Sequence, residues 1–140
     1  MNNKEIEQKV TDLLNANKIE CKAYFLGAIK RDNWDCDSWS VTFSSPKNSA
    51  AFNFYTGTGH RDKKTGRANA PDRAGVLHNL VIDKQLADDT FEGFCDSLGY
   101  DTDSRKALEA YLQCQKNGAD LARVFGGALI AELAELLQDY

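Results

Sequence analysis

The chain has 140 residues, of which 42% are hydrophobic and 27% charged, and a net charge of −4. A chain of this size suits one domain burying roughly 65–70% of the surface its unfolded form exposes, and its apolar content excludes disorder as the default. The acidic balance disfavours a general DNA-coating role, which relies on Lys and Arg neutralising phosphates.

The spacing predicts a first helix over residues 3–16, with Ile6, Val10, Leu13 and Leu14 as one apolar stripe. Glu5, Glu7, Lys9 and Asp12 should face water, and Asn15-Ala16-Asn17 should end the helix. From Ile19 the period becomes two. Ile19, Cys21, Ala23, Phe25 and Gly27 alternate with Glu20, Lys22, Tyr24 and Leu26, a strand whose outward face turns apolar midway. Arg31-Asp32-Asn33 supplies a turn. Trp39, Val41 and Phe43 then alternate with Ser38, Ser40, Thr42 and Ser44, a half-buried strand. After turn chemistry at Ser45-Pro46-Lys47-Asn48-Ser49, residues 50–56 resume extended structure, with Phe52 and Phe54 on one face and Asn53 and Tyr55 on the other. Short links between the three strands favour an antiparallel meander.

Residues 57–70 are expected to form a mobile basic loop. Pro71 is expected to open a helix, with Asp72 at the positive end of its dipole and Val76, Leu77, Leu80 and Val81 as its buried stripe. Asp88-Asp89-Thr90 should start the next helix, with Phe91, Phe94 and Leu98 on one face and Gly99 in the left-handed position past its end. Thr102 or Asp103 should cap the helix that follows, with Ala107, Leu108, Tyr111 and Leu112 facing inward. Asn117-Gly118 should break it. Leu121, Val124 and Phe125 then make another turn or two, Gly126-Gly127 a hinge, and Ile130, Leu133, Leu136 and Leu137 the face of a last helix. The expected fold class is α+β: an N-terminal helix, a three-stranded antiparallel sheet and a C-terminal bundle of four or five short helices. It forms one domain, with residues 1–56 as helix plus sheet and 71–140 as the helical half packed on the sheet's aromatic face.

Candidate chemistry is sparse. Thr56-Gly57-Thr58-Gly59-His60 could cradle a phosphate, but it lacks the GxxxxGK[ST] and GxGxxG spacings, and a plain flexible loop is the favoured reading. Residues 60–75 concentrate Arg61, Lys63, Lys64, Arg67 and Arg73 against Asp62 and Asp72, a local charge of +3 that could steer an anionic partner. Residues 119–140 carry Asp120, Glu132, Glu135 and Asp139 against Arg123, a local −3, and Asp35 and Asp37 flank Cys36 in another acidic patch. Such surfaces can imitate phosphate, although most acidic helix faces do not. Asp101 and Asp103 resemble the start of a calcium loop, but Lys106 and Leu112 stand where glycine and glutamate are needed, so helix capping is preferred. His60 and His78 have no spaced partner. Cys21, Cys36, Cys95 and Cys114 contain no CxxC pair and read as reduced thiols, with Cys21 and Cys95 as small buried hydrophobes. No metal or cofactor is expected. The first ten residues carry alternating charges without an apolar run, and no stretch approaches the roughly 20 apolar residues that span a bilayer, so a cytosolic protein is expected.

Phe54-Tyr55-Thr56-Gly57-Thr58-Gly59-His60, followed by residues 76–115 with Thr90-Phe91-Glu92-Gly93-Phe94-Cys95 and Gly99-Tyr100-Asp101-Thr102-Asp103-Ser104, resembles a group of small proteins encoded by bacteriophages and prophages. The resemblance covers the middle and C-terminal two-thirds and transfers no catalytic residue. It implies a setting in which small proteins bind and block a host machine, some of them as anti-CRISPR inhibitors of host defence. The expected function is therefore a non-enzymatic phage protein acting by protein binding on a host protein or ribonucleoprotein complex. Its partner-binding residues would be His60, Arg61, Lys63, Lys64, Arg67 and Arg73. The alternatives are a small nucleic-acid-binding module using the same basic loop, and a small enzyme using the Thr56–His60 segment.

Overall fold

Asn2 starts the first helix, α1 (Asn3–Ala16), by accepting a hydrogen bond from the Glu5 amide at 2.9 Å. Ile6, Val10 and Leu14 form its buried stripe. The computed structural model describes residues 1–83 and 90–140. Three strands follow: β1 (Glu20–Arg31), β2 (Trp34–Ser44) and β3 (Ser49–Gly57), an antiparallel sheet in the order β1-β2-β3. β2 begins five residues before the alternation at Trp39 suggests. Asp32 and Asn33, at φ 46° and 69°, make the two-residue β1–β2 hairpin. Positive φ at both positions matches the twist of the flanking strands. β1 carries a bulge between Phe25 and Gly27, with Gly27 at φ 129°.

After β3 the chain makes one 3-10 turn (Thr58–His60) and an irregular segment. It then forms α2 (Arg73–His78), a π turn (Asn79–Asp83), α3 (Phe91–Leu98), α4 (Arg105–Phe125) and α5 (Gly127–Leu137). One core joins the halves. Trp39, Val41, Phe43 and Phe52 of the sheet pack with α1, α2 and the inward residues of α4 and α5, among them Leu121, Leu133 and Leu137. Phe43 lies 5.3 Å from Phe125 in an edge-on contact, which fixes the end of α4 on the aromatic face of the sheet. The α+β reading thus stands, with the helical half on that face.

Several details differ from the sequence expectations. α2 begins at Arg73, so Pro71 lies before the helix. Glu7 does not face water: its carboxylate accepts the Ala74 amide at 2.8 Å and the Arg73 amide at 3.2 Å, capping α2 from α1. Thr90 caps α3 as expected and Gly99 closes it at φ 75°, but Cys95 is its buried residue and Leu98 is exposed. Asp88 and Asp89 lie outside the described residues. Ser104, not Thr102 or Asp103, caps α4, accepting the Ala107 amide at 3.1 Å. Asn117-Gly118 does not break α4, which runs for 21 residues. Ala107 faces inward, while Leu108 and Leu112 are exposed. Four α-helices therefore follow the sheet among the described residues, and one of them is long.

Candidate functional site

The basic segment starts where β3 ends and returns to the sheet at once. Arg61 Nε donates to Asp37 Oδ2 at 2.9 Å and its Nη2 to Oδ1 at 2.6 Å, a two-pronged pair. Asp37 follows the alternation of β2 onto the same face as Trp39, Val41 and Phe43, and its side chain is 1% exposed. A carboxylate there needs a cation, because burial without one disfavours its charged form. The Arg61 hydrogen bonds hold the Asp37 carboxyl below the usual carboxylate range, against the opposing effect of burial, and raise the guanidinium in return. Beside the pair, Trp39 Nε1 donates to Thr56 Oγ1 at 2.9 Å.

The next residues fold on themselves. Asp62 Oδ1 accepts the amides of Lys64 at 2.7 Å and Thr65 at 2.9 Å. The Asp62 carbonyl accepts the Gly66 amide, and the Asp62 amide donates to the Arg67 carbonyl, both at 2.8 Å. Gly66 sits at φ 69°, a conformation suited to glycine. The Thr65 and Lys64 amides, in that order, hold the Asp62 carboxyl below its ordinary range. Asn69 Nδ2 donates to the His60 carbonyl at 2.8 Å, tying the two ends together. Lys63, Lys64 and Arg67 are left exposed on a hydrogen-bonded turn.

The six candidate residues therefore divide. Arg61 belongs to the clamp. Lys63, Lys64 and Arg67 share the exposed turn. Arg73 lies apart at the start of α2, its Nη1 3.9 Å from Glu7 Oε2. His60 is exposed and lines a cleft of about 490 Å³ with Trp34, Tyr55, Asp72 and Tyr140. Once Asp37 and Glu7 are counted with Asp62 and Asp72, five cations face four carboxylates, and the local charge is +1. Arg61 and Arg67 also border a hollow of about 400 Å³ with Phe25, an aromatic ring 52% exposed and 5.3 Å from the buried Trp39 ring.

Other candidates resolve into structure. Asp37 is no part of a surface acidic patch. Asp120 accepts from Lys116 at 2.8 Å and Arg123 at 3.3 Å, contacts that hold its carboxyl low, with Lys116 the larger cause. His78 is half-buried, its ring 5.7 Å from that of Tyr140. All four cysteines are free thiols. Burial pushes the Cys21 thiol up to about 11, partly opposed by Arg73. Among the described residues no group of three or more His, Cys, Asp or Glu is placed to hold a metal ion. No helix of those residues is long and apolar enough to cross a membrane.

Sequence reasoning missed the two carboxylates that organise this region, Asp37 and Glu7. The signal for Asp37 was present: it stands two residues before Trp39, at an alternate position of an apolar strand face, where a charge calls for a counter-ion. Glu7 left no local trace, since its partners lie in α2. Comparison with protein-family models, curated proteins and solved structures finds no match to this chain.

Proposed function

We propose that this is a non-enzymatic binding protein that occludes a surface of a host macromolecular complex, with Lys63, Lys64 and Arg67 as its cationic contacts. One observation carries the reading: the Asp37–Arg61 clamp ties the segment to the sheet while the Asp62 turn holds three cations outward. Presenting charges on a preformed turn lowers the ordering cost of binding. The likeness to small phage-encoded proteins supports a host-defence complex as target, an anti-CRISPR type of inhibitor in the host cytosol. A small nucleic-acid-binding module is the second reading. Exposed Phe25 beside Arg67 favours it, because bases stack on aromatic rings next to cations.

The test replaces Lys63, Lys64 and Arg67 together by alanine and leaves Arg61 in place. Capture of the partner from host lysate should weaken while the melting temperature holds. Unchanged capture would remove the loop from the recognition surface. Binding to plain duplex or single-stranded DNA that falls steeply with added salt would favour the second reading.

A further inference from the structure

Trp34, at the start of β2, is 47% exposed, and its indole makes no hydrogen bond among the described residues. It borders the cleft of about 490 Å³ that lies between the end of β3 and the start of α2, a volume in the range of small-molecule sites. Two glycines make the room. A Cβ on Gly57 would sit 3.7 Å from both the Trp34 indole and the His60 ring, so both rings border the space that Gly57 leaves open. A Cβ on Gly75 would sit 3.3 Å from Tyr140 Oη, so the absent side chain lets the Tyr140 ring lie against α2, where it also meets His78.

The charges around the cleft select its ligand. Asp72 stands at the N-cap of α2, but its carboxylate makes no capping hydrogen bond; Glu7 takes the Arg73 and Ala74 amides instead. Burial first, then the charges of Asp72 and Glu7, raise the Tyr140 phenol, which puts the Asp72 carboxylate within electrostatic reach of that ring. No Lys or Arg lines the cleft among the described residues, and Arg73 turns towards Glu7. The Tyr55 ring already holds a cation, since the Arg31 guanidinium lies 4.0 Å over it and lines the neighbouring hollow. Trp34 and Tyr140 carry none among the described residues. Electron-rich ring faces and one unspent carboxylate attract a cation and repel a phosphate. Ring walls favour a charge spread over methyl groups above a compact ammonium, which holds its water strongly.

We propose that this cleft binds a methylated ammonium ion, with Trp34 and Tyr140 as its ring walls and Asp72 as its counter-charge. This goes beyond the loop's proposed role and is independent of it, since none of Lys63, Lys64 and Arg67 lines the cleft and the readout needs no host partner. Isothermal titration of the full chain with choline chloride, against sodium chloride at equal ionic strength, should show saturable binding. The uncharged carbon isostere of choline should bind about tenfold more weakly or not at all. Asp72→Asn and Trp34→Leu should each weaken choline about tenfold, and Trp34→Phe, which keeps a ring, should lose less. The melting temperature of Asp72→Asn should match the parent, because the carboxylate caps nothing. Tighter binding of a trimethyllysine peptide than of choline would place the head group on a protein chain, and weaker binding would make it a free small molecule. No saturable binding of choline, or equal affinity for the uncharged isostere, would overturn the ammonium site. Choline binding that survives both Asp72→Asn and Trp34→Leu would overturn its placement in this cleft.

Discussion

Asp37 is the residue on which the site turns. Its carboxyl is lowered by Arg61, so the pair's stabilisation is fully present above the unfolded carboxyl value of about 3.9 and is lost as pH falls through the lower folded value. Asp62 and Asp120 are shifted in the same direction and add to the same acid limb. Thermal melts should therefore be flat from neutral pH to roughly pH 5 and decline below it. Asp37→Asn should melt lower than the parent at pH 7, because Arg61 loses its counter-charge, and its acid decline should be shallower. An acid limb identical to the parent's would show that the clamp contributes nothing to it. Cys21 gives the opposite sign. Its raised thiol adds stability that is present below an unfolded value of about 8.5 and lost as pH rises from there towards the folded value. Native Cys21 should accordingly resist alkylation at pH 8 and label readily once unfolded, as followed by peptide mass spectrometry.

At the level of elements, caps divide the legible from the hidden. Thr90 and Gly99 were readable because the two ends of α3 lie in contiguous sequence. The stripe of α1 and the alternation of β2 were readable for the same reason: periodicity is local. α4 was misread on two counts. Gly118 lowers helix propensity by about 1 kcal/mol, but Leu121, Val124 and Phe125 beyond it are buried and hold the helix on. Its inward face is lined with small residues, Ala107, Ala110 and Cys114, which leaves the larger Leu108 and Leu112 outside. Of the expected inward set, Ala107 is buried and Tyr111 packs on Phe91 and Phe94 of α3, and only Leu108 and Leu112 turn outward. Of the candidate site, the exposed cations were legible from composition. The pairing of Arg61 with Asp37, 24 positions away, was not. Ser104→Ala should cost about 1 kcal/mol and Thr102→Ala close to nothing, compared by urea denaturation. Equal effects would return the cap to Thr102. Glu7→Ala should cost a similar amount, about 1 kcal/mol, because two amides at the start of α2 lose their acceptor.

For the whole molecule, the decisive fact is that sheet and helices share a single core. Phe43 contacts Phe52 across the sheet and Phe125 at the end of α4, so it belongs to both halves at once. Neither half is then a separate folding unit: three strands alone leave an aromatic face open to water, and α4 and α5 alone leave Leu121, Leu133 and Leu137 without a floor. Truncating Phe43, which is fully buried, removes its apolar contacts and leaves a cavity. Phe43→Ala should therefore cost about 3–5 kcal/mol, against less than about 0.5 kcal/mol for Leu112→Ala on the exposed side of α4. The stronger consequence concerns cooperativity. Far-ultraviolet circular dichroism, dominated by the helices, and tryptophan fluorescence, from Trp34 and Trp39 of β2 and so reporting the sheet, should lose their native signals at one midpoint in the parent and, at a lower one, in Phe43→Ala. Separated midpoints in the parent would divide the chain into two units, and the basic segment would then be a linker between them and not a turn clamped to one body.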